Sequence, residues 1–221
     1  MIEIHTFTFN AFSEQTYLLD HGNGDATVVD PGMSTFQERQ LFANFCDSKG
    51  LNVVQCLLTH AHLDHIMGAA WVYDQWKVKP RMHERDAETY SRAPIAASIY
   101  GVNMDTPPPL GEALVADASI SCADAELLVK YTPGHAPGHV VFIYADDRWV
   151  IGGDVLFQGS VGRTDLPGCE PDALRRSIED VMYALPDDFV VWPGHGPCTT
   201  IGEEKRFNPY VNAARTGMMQ A

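Results

Sequence analysis

The sequence predicts a layered α/β sandwich, and three observations carry that expectation. Short segments alternate polar and apolar residues, or run wholly apolar at strand length. Segments with apolar residues at helical spacing are interleaved with them, as stacked sheets and helices require. Histidines and aspartates, flanked by glycine, follow directly on the strand-like runs. Residues 2–9 alternate as a half-buried strand does, and Gln15–Leu19 and Thr27–Val29 read as the next two strands. Asp30-Pro31-Gly32 is a sharp turn. Phe36, Leu41, Phe42 and Phe45 then recur at helical spacing, and Lys49-Gly50 ends that helix. Val53–Leu58 is too short for a helix and reads as a buried strand. A helix is expected after His65, with Ile66, Ala69, Ala70 and Tyr73 facing inward. Residues 84–100 have helical character, and Pro107-Pro108-Pro109 enforces extended backbone. Leu127–Tyr131, Val140–Tyr144 and Trp149–Ile151 resume the strands. A helix over Pro171–Ala184 has proline in its first turn and Leu174, Ile178, Val181 and Met182 on one face. Phe189–Trp192 is the last strand expected, with room for a short helix near Gly202–Phe207.

Composition narrows the function classes. Of 221 residues, 45% are hydrophobic and 20% charged, which excludes a disordered chain. No uninterrupted apolar run reaches the ~18 residues of a membrane span. The formal net charge is −14, a poor match for nucleic acid or an acidic membrane, whose phosphates need a basic footprint. Five widely spaced cysteines, an odd number with no C-x-x-C pair, do not form a disulfide framework. The opening Met1–Thr6 has neither a basic nor an apolar leader region. The expectation is a single domain over 1–221, cytoplasmic, with 198–221 as a short C-terminal extension rather than a separate helical domain. Oligomeric state is left open.

Of nine histidines, six sit in three short segments with aspartates and glycines. Thr59-His60-Ala61-His62-Leu63-Asp64-His65 follows the buried strand 53–58. His60 and His62, two apart, can point the same way on extended backbone, while Asp64 and His65 lie where the chain turns into a helix. Four ligand-type side chains in six residues are too many for one tetrahedral site with an open position. Thr132-Pro133-Gly134-His135 through His139, Gly152-Gly153-Asp154, and Pro193-Gly194-His195-Gly196 each follow another strand, and glycine lets backbone approach a ligand closely. Singly, Asp64 would be a helix cap, and His135, His195 and Asp154 turn residues. Jointly, they point to a metal site.

These segments resemble a known family. T-H-A-H-L-D-H is similar to the H-x-H-x-D-H signature of the metallo-β-lactamase fold superfamily, with His135, Asp154 and His195 matching its later ligand motifs in order. The resemblance covers nearly the whole chain and implies a four-layer αββα sandwich with a metal cleft along one edge of the two packed sheets. Gly153-Asp154-Val155-Leu156-Phe157, Gly162-Arg163-Thr164-Asp165-Leu166 and Pro193-Gly194-His195-Gly196-Pro197 resemble glyoxalase II-type thioester hydrolases most. Carried over by motif, His60, His62 and His135 would hold one metal, Asp64, His65 and His195 the other, and Asp154 would bridge them. The nitrogen and carboxylate donors suit two divalent ions, zinc first, with iron and manganese also admitted.

The activity this implies is hydrolysis of a small-molecule thioester, such as a hydroxyacylglutathione, by a metal-bridging hydroxide that Asp64 would orient, accepting the proton of the water it forms from. Such an anionic substrate would need local cations. Arg163 is the first candidate, with Arg81, Arg85 and Arg92 behind it, although Arg163 is equally suited to brace its own loop through Asp165. His139 falls outside the ligand pattern and is expected to support the site or the fold. Typical glyoxalase II enzymes carry a longer helical C-terminal region that helps hold glutathione, and the stretch after His195 is too short for one. The alternative is a persulfide dioxygenase with one iron on His60, His135 and Asp154, oxidising glutathione persulfide.

Overall fold

The computed structural model describes residues 2–212. The first sheet contains β1 (Glu3–Phe9), β2 (Glu14–Asp20), β3 (Asp25–Val29), β4 (Asn52–Leu57) and β5 (Pro80–Arg81), in that spatial order. Its first three strands run antiparallel, and β3, β4 and β5 pair in parallel. The chain then supplies β6 (Ser119–Cys122), β7 (Ala125–Tyr131), β8 (Val140–Tyr144) and β9 (Trp149–Gly153), followed by the small hairpin β10 (Leu156–Phe157) and β11 (Ser160–Val161). With β12 (Val190–Pro193) and β13 (Thr199–Thr200), the second sheet has the order β13-β12-β9-β8-β7-β6. The helices are α1 (Phe36–Lys49), α2 (Leu63–Ile66), α3 (Ala69–Trp76), α4 (Ala87–Tyr100), α5 (Pro171–Arg176) and α6 (Ile201–Phe207). None among the described residues is long and apolar enough to cross a membrane.

Three apolar clusters define the layers, and period-two alternation decides which side chain enters which. Leu18, Val28 and Cys56 point away from the second sheet, onto Phe42 and Cys46 of α1, Val72 of α3 and Tyr90 of α4. Their neighbours Leu19, Val29 and Leu57 point the other way, onto Leu127, Phe142 and Ile151 of the second sheet. That sheet's outer face, with Val141, Val150 and Val191, packs on Leu174, Ile178, Met182 and Ile201. The order is helices, sheet, sheet, helices: the expected αββα sandwich.

Local chemistry sets the element ends. Thr35 caps α1 in a reciprocal box with Glu38, and Gly50 closes it at φ 66°. Phe36 and Leu41, expected on its inner stripe, are exposed, and Cys46 is buried instead. The helix expected after His65 starts earlier, at Leu63, and breaks after Ile66 before resuming at Ala69. At the break the Gly68 amide donates to the Pro31 carbonyl (2.7 Å) rather than to the preceding turn, and glycine is required there because a Cβ would stand 2.1 Å from Met33 Sδ. In α3 the inward residues are Ala69 and Val72, with Ala70 and Tyr73 half-buried. The helix expected over 171–184 is α-helical only to Arg176 and widens into a π turn over Ser177–Met182, which leaves Val181 half-buried. The two-residue strands β5, β10, β11 and β13 are too short to show any periodicity.

Candidate metal centre

Every segment singled out for its histidines and aspartates ends at the same edge of the sandwich. Two main-chain bonds stitch the sheets together there, Gln15 N donating to Gly194 O (2.8 Å) and Val140 N to Thr59 O (2.8 Å), while Gly194 N donates to Gly153 O (2.8 Å) within the second sheet. The ends of β4, β9 and β12 and the β7–β8 loop are thereby held around one volume.

Two groups of donors meet in it. His60, His62 and His135 bring one ligand atom each within 4.8 Å of one another, and so do Asp64, His65 and His195. Asp154 lies between the groups. One of its oxygens is 3.5 Å from His65 Nε2, and the other is 3.3 Å from His135 Nε2 and 3.6 Å from His195 Nε2. Asp64 Oδ2 is 3.2 Å from His195 Nε2. Asp30, His60 and His65 form a third close group, but the Asp30 oxygens are already committed, as described next.

The imidazoles are held from behind. His65 Nδ1 faces Asp30 Oδ2 at 3.1 Å, His135 Nδ1 faces the Arg163 carbonyl at 2.8 Å, and His195 Nδ1 faces the Phe12 carbonyl at 3.1 Å. Those partners only accept, so each Nδ1 carries the proton and each Nε2 presents a lone pair to the centre. Thr59 Oγ1 donates to Asp30 Oδ2 (2.6 Å), which leaves it to accept from His60 Nδ1 (3.0 Å). His62 turns Nδ1 inward instead, 2.8 Å from His135 Nε2. His60 Nε2, His65 Nε2 and Asp154 Oδ1 are buried and have no hydrogen-bond partner among the described residues. Buried polar atoms are seldom left so, and three converging on one point, with neutral imidazole and carboxylate donors, fit divalent metal ions.

The electrostatics divide the two groups. Burial pushes His60 and His135 down, and His62 down to about 3, so these three rings are neutral donors. Burial also works against charge on His65 and His195, but the Asp154 and Asp64 carboxylates outweigh it and raise both. Burial would lift Asp154, yet the facing His65 and His135 hold it well below the usual carboxylate range.

Other residues hold the site. His139 is fully buried and stacks on His60 (4.8 Å between ring centres). Its Nε2 accepts from Asp154 N (3.0 Å) while Nδ1 faces Thr132 Oγ1 (3.1 Å), so it fixes the Asp154 backbone and belongs to neither group. Asp30, read as a turn residue, also accepts from Thr59 N (2.7 Å). Asp86 is fully buried and accepts from Ala61 N (2.8 Å) and Gly138 N (2.6 Å), clamping the two histidine loops together. Burial lifts its carboxyl to about 6. Asp30 follows strand β3 as Asp154 follows β9, and that signal could have found it. Asp86 had none, lying in a stretch read only as helical. Arg163 borders the site through its carbonyl, while its guanidinium forks onto Asp165 (2.7 and 2.8 Å), as the bracing alternative foresaw.

A cleft of about 990 Å³ opens over the centre, with His62, Asp64, His135, Asp154 and His195 in its floor and Arg85, Arg92 and Arg163 in its walls. Arg81 is not among the lining residues and instead donates Nε–H to the Glu112 carbonyl (3.2 Å).

Residues 10–195 match the family model of the metallo-beta-lactamase superfamily. The chain is 34% identical over 220 residues to the hydroxyacylglutathione hydrolase GloC of Haemophilus influenzae, covering 96% of this chain and 99% of that one. Among solved structures it is similar to the BLEG-1 B3 metallo-beta-lactamase, with a TM-score of 0.87 and 30% identity over 95% of this chain and 99% of that one. It is also similar to TTHA1623 in a di-iron-bound form, with a TM-score of 0.83 and 37% identity over 93% of this chain and 99% of that one.

Proposed function

This chain belongs to the metallo-beta-lactamase superfamily, and we propose that within it the protein is a metal-dependent hydrolase of a small-molecule thioester such as a hydroxyacylglutathione. The observation that carries the reading is the pair of donor groups sharing Asp154 in the floor of an open cleft. The likeness to a relative named as a hydroxyacylglutathione hydrolase supports the choice of thioester.

In this proposal His60, His62 and His135 would hold one divalent ion, Asp64, His65 and His195 would hold the second, and Asp154 would serve both groups. Zinc is the first choice, with iron and manganese compatible with the same donors. Such ions supply Lewis acidity at a carbonyl oxygen and make water nucleophilic at neutral pH, lowering its pKa from 15.7 to about 7. The protein's share is orientation. Asp64 has one oxygen on His195 and the other available to align a water and take its proton. The buried Asp30 and the Arg163 carbonyl fix the ring angles of His65 and His135, so the donors meet substrate already aimed. No serine or cysteine nucleophile is required.

Arg163 is a proposed substrate contact whose charge is already shared with Asp165. An exposed pair of this kind contributes about 0–1 kcal/mol, so Arg163→Met is expected to raise KM by no more than about fivefold. Steady-state kinetics on S-lactoylglutathione check this, and a larger rise would make Arg163 the main clamp.

Metal analysis combined with two assays tests the function. Two metal equivalents per chain with thiol release from S-lactoylglutathione are expected. One iron per chain, with oxygen uptake on glutathione persulfide and no thiol release, would overturn the hydrolase reading in favour of a dioxygenase.

A further inference from the structure

The cleft wall made by α4 is polarised along its length. Ala93 and Ala97 turn inward, and the face bordering the cleft carries Glu88 and Arg92 towards its N-terminal end and Ile95, Ile99 and Tyr100 at its C-terminal end. The apolar end is unusually open: Ile95 is 61% exposed, Ile99 78% and Tyr100 48%. Scattered singly, such residues would need no explanation, but a contiguous apolar patch beside a reactive centre marks a ligand surface. Its position is fixed by Phe12, whose ring meets Tyr100 edge-on (5.8 Å) and whose carbonyl holds His195 (3.1 Å). The apolar end therefore adjoins the Asp64, His65 and His195 group.

The opposite end adjoins the other group and is cationic. Arg85 lies over the Tyr131 ring (5.4 Å) and donates to its hydroxyl (3.1 Å), which donates in turn to the Pro137 carbonyl (2.7 Å) beside His135. His83 also stacks on the Tyr131 ring, with 4.7 Å between ring centres. Arg92 is 3.0 Å from Glu88, and Arg163 is paired with Asp165. Among the described residues, Arg85 is the cleft arginine with no carboxylate partner. A guanidinium held in place and unneutralised is suited to an anion.

We propose that the cleft takes a thioester with an anionic thiol half lying against Arg85 and an apolar acyl half, longer than lactoyl, lying along Ile95, Ile99 and Tyr100. This rests on the hydrolase reading above and extends it to substrate class and orientation. Glutathione carries two carboxylates and so belongs at the Arg85 end. A lactoyl group is small and polar and would leave the three apolar side chains uncovered.

The test is a chain-length series on the metal-replete protein. The kcat/KM of S-acylglutathiones is expected to rise about two- to fourfold per added methylene from butanoyl to octanoyl, with octanoyl above lactoyl. The Kd of non-hydrolysable S-alkylglutathiones, read by calorimetry, is expected to fall in parallel. Ile99→Asn should cut the octanoyl-to-lactoyl ratio about tenfold or more, as losing roughly two methylenes of contact would. Arg85→Met should erode the preference for octanoylglutathione over the uncharged octanoyl-N-acetylcysteamine. A flat series with lactoylglutathione still turned over would overturn the proposal and leave the hydrolase intact. An Arg85→Met effect equal on both thiol halves would overturn the orientation. Failure of every thioester to turn over would overturn the hydrolase reading and this proposal together.

Discussion

Asp154→Ala is expected to lose at least about 1,000-fold in kcat/KM and to bind fewer than two metal equivalents. The scale follows from position. Residues that merely support metal ligands cost 10–100-fold on mutation, and Asp154 faces both donor groups directly, with oxygens at 3.3–3.6 Å from His65, His135 and His195. Its removal also takes away the buried carboxylate that faces three imidazoles, and breaking a buried charge cluster from one side is costly. Asp154→Asn separates the causes. It keeps the side-chain volume and the main-chain bond to His139 but not the charge, and its loss is expected to approach that of alanine. Elemental analysis and thiol-release kinetics on the same preparations check both variants. A chelator-treated wild type should fall to the same residual rate and recover on adding back zinc, iron or manganese. Full metal content with turnover within tenfold of wild type would remove Asp154 from the bridging role.

The layered α/β class was legible from local pattern, and the order of the layers and the edge that carries the site from the resemblance of the histidine motifs to a known fold. Strand-length apolar runs placed His60, His135, Asp154 and His195 just past strand ends, and strand ends are where side chains leave a core at fixed positions. What was not legible depends on partners distant along the chain. Glu14 precedes the strand expected over Gln15–Leu19 and had no role in that reading, yet it is fully buried, accepts from Thr16 Oγ1 (2.9 Å) and lies 3.9 Å from His65. Burial pushes its carboxyl well up. Asp86 likewise gains its role only when Ala61 and Gly138 are brought to either side of it. The broken helix after His65 depends on the Pro31 carbonyl, far back along the chain, taking the Gly68 amide. Periodicity reports the face a residue shows, and it carries nothing about which distant backbone will meet that face.

Gly194→Ala should abolish most of the activity while leaving the fold in place, although the methyl group added is small and inert. A Cβ at this position would lie 2.1 Å from Asp154 Oδ1 and 2.7 Å from His65 Cε1, so the carboxylate facing both donor groups must move. Gly194 itself cannot retreat, since it donates to Gly153 O within its own sheet and accepts from Gln15 N of the facing one. A displacement of about 1 Å at a reacting centre can cost 100-fold, and a loss of that order is expected together with reduced metal content. Gly196→Ala is the contrast. Among the described residues no atom lies within 4 Å of its added Cβ, but φ is 76°, a left-handed backbone that costs a non-glycine residue about 1–2 kcal/mol. That variant should melt earlier and still bind its metals. Circular dichroism melts paired with metal analysis distinguish the two. If Gly194→Ala kept both metals and full turnover, the glycine beside His195 would be serving the turn alone, and the close approach of backbone to the donor carboxylate would not be what the site requires of it.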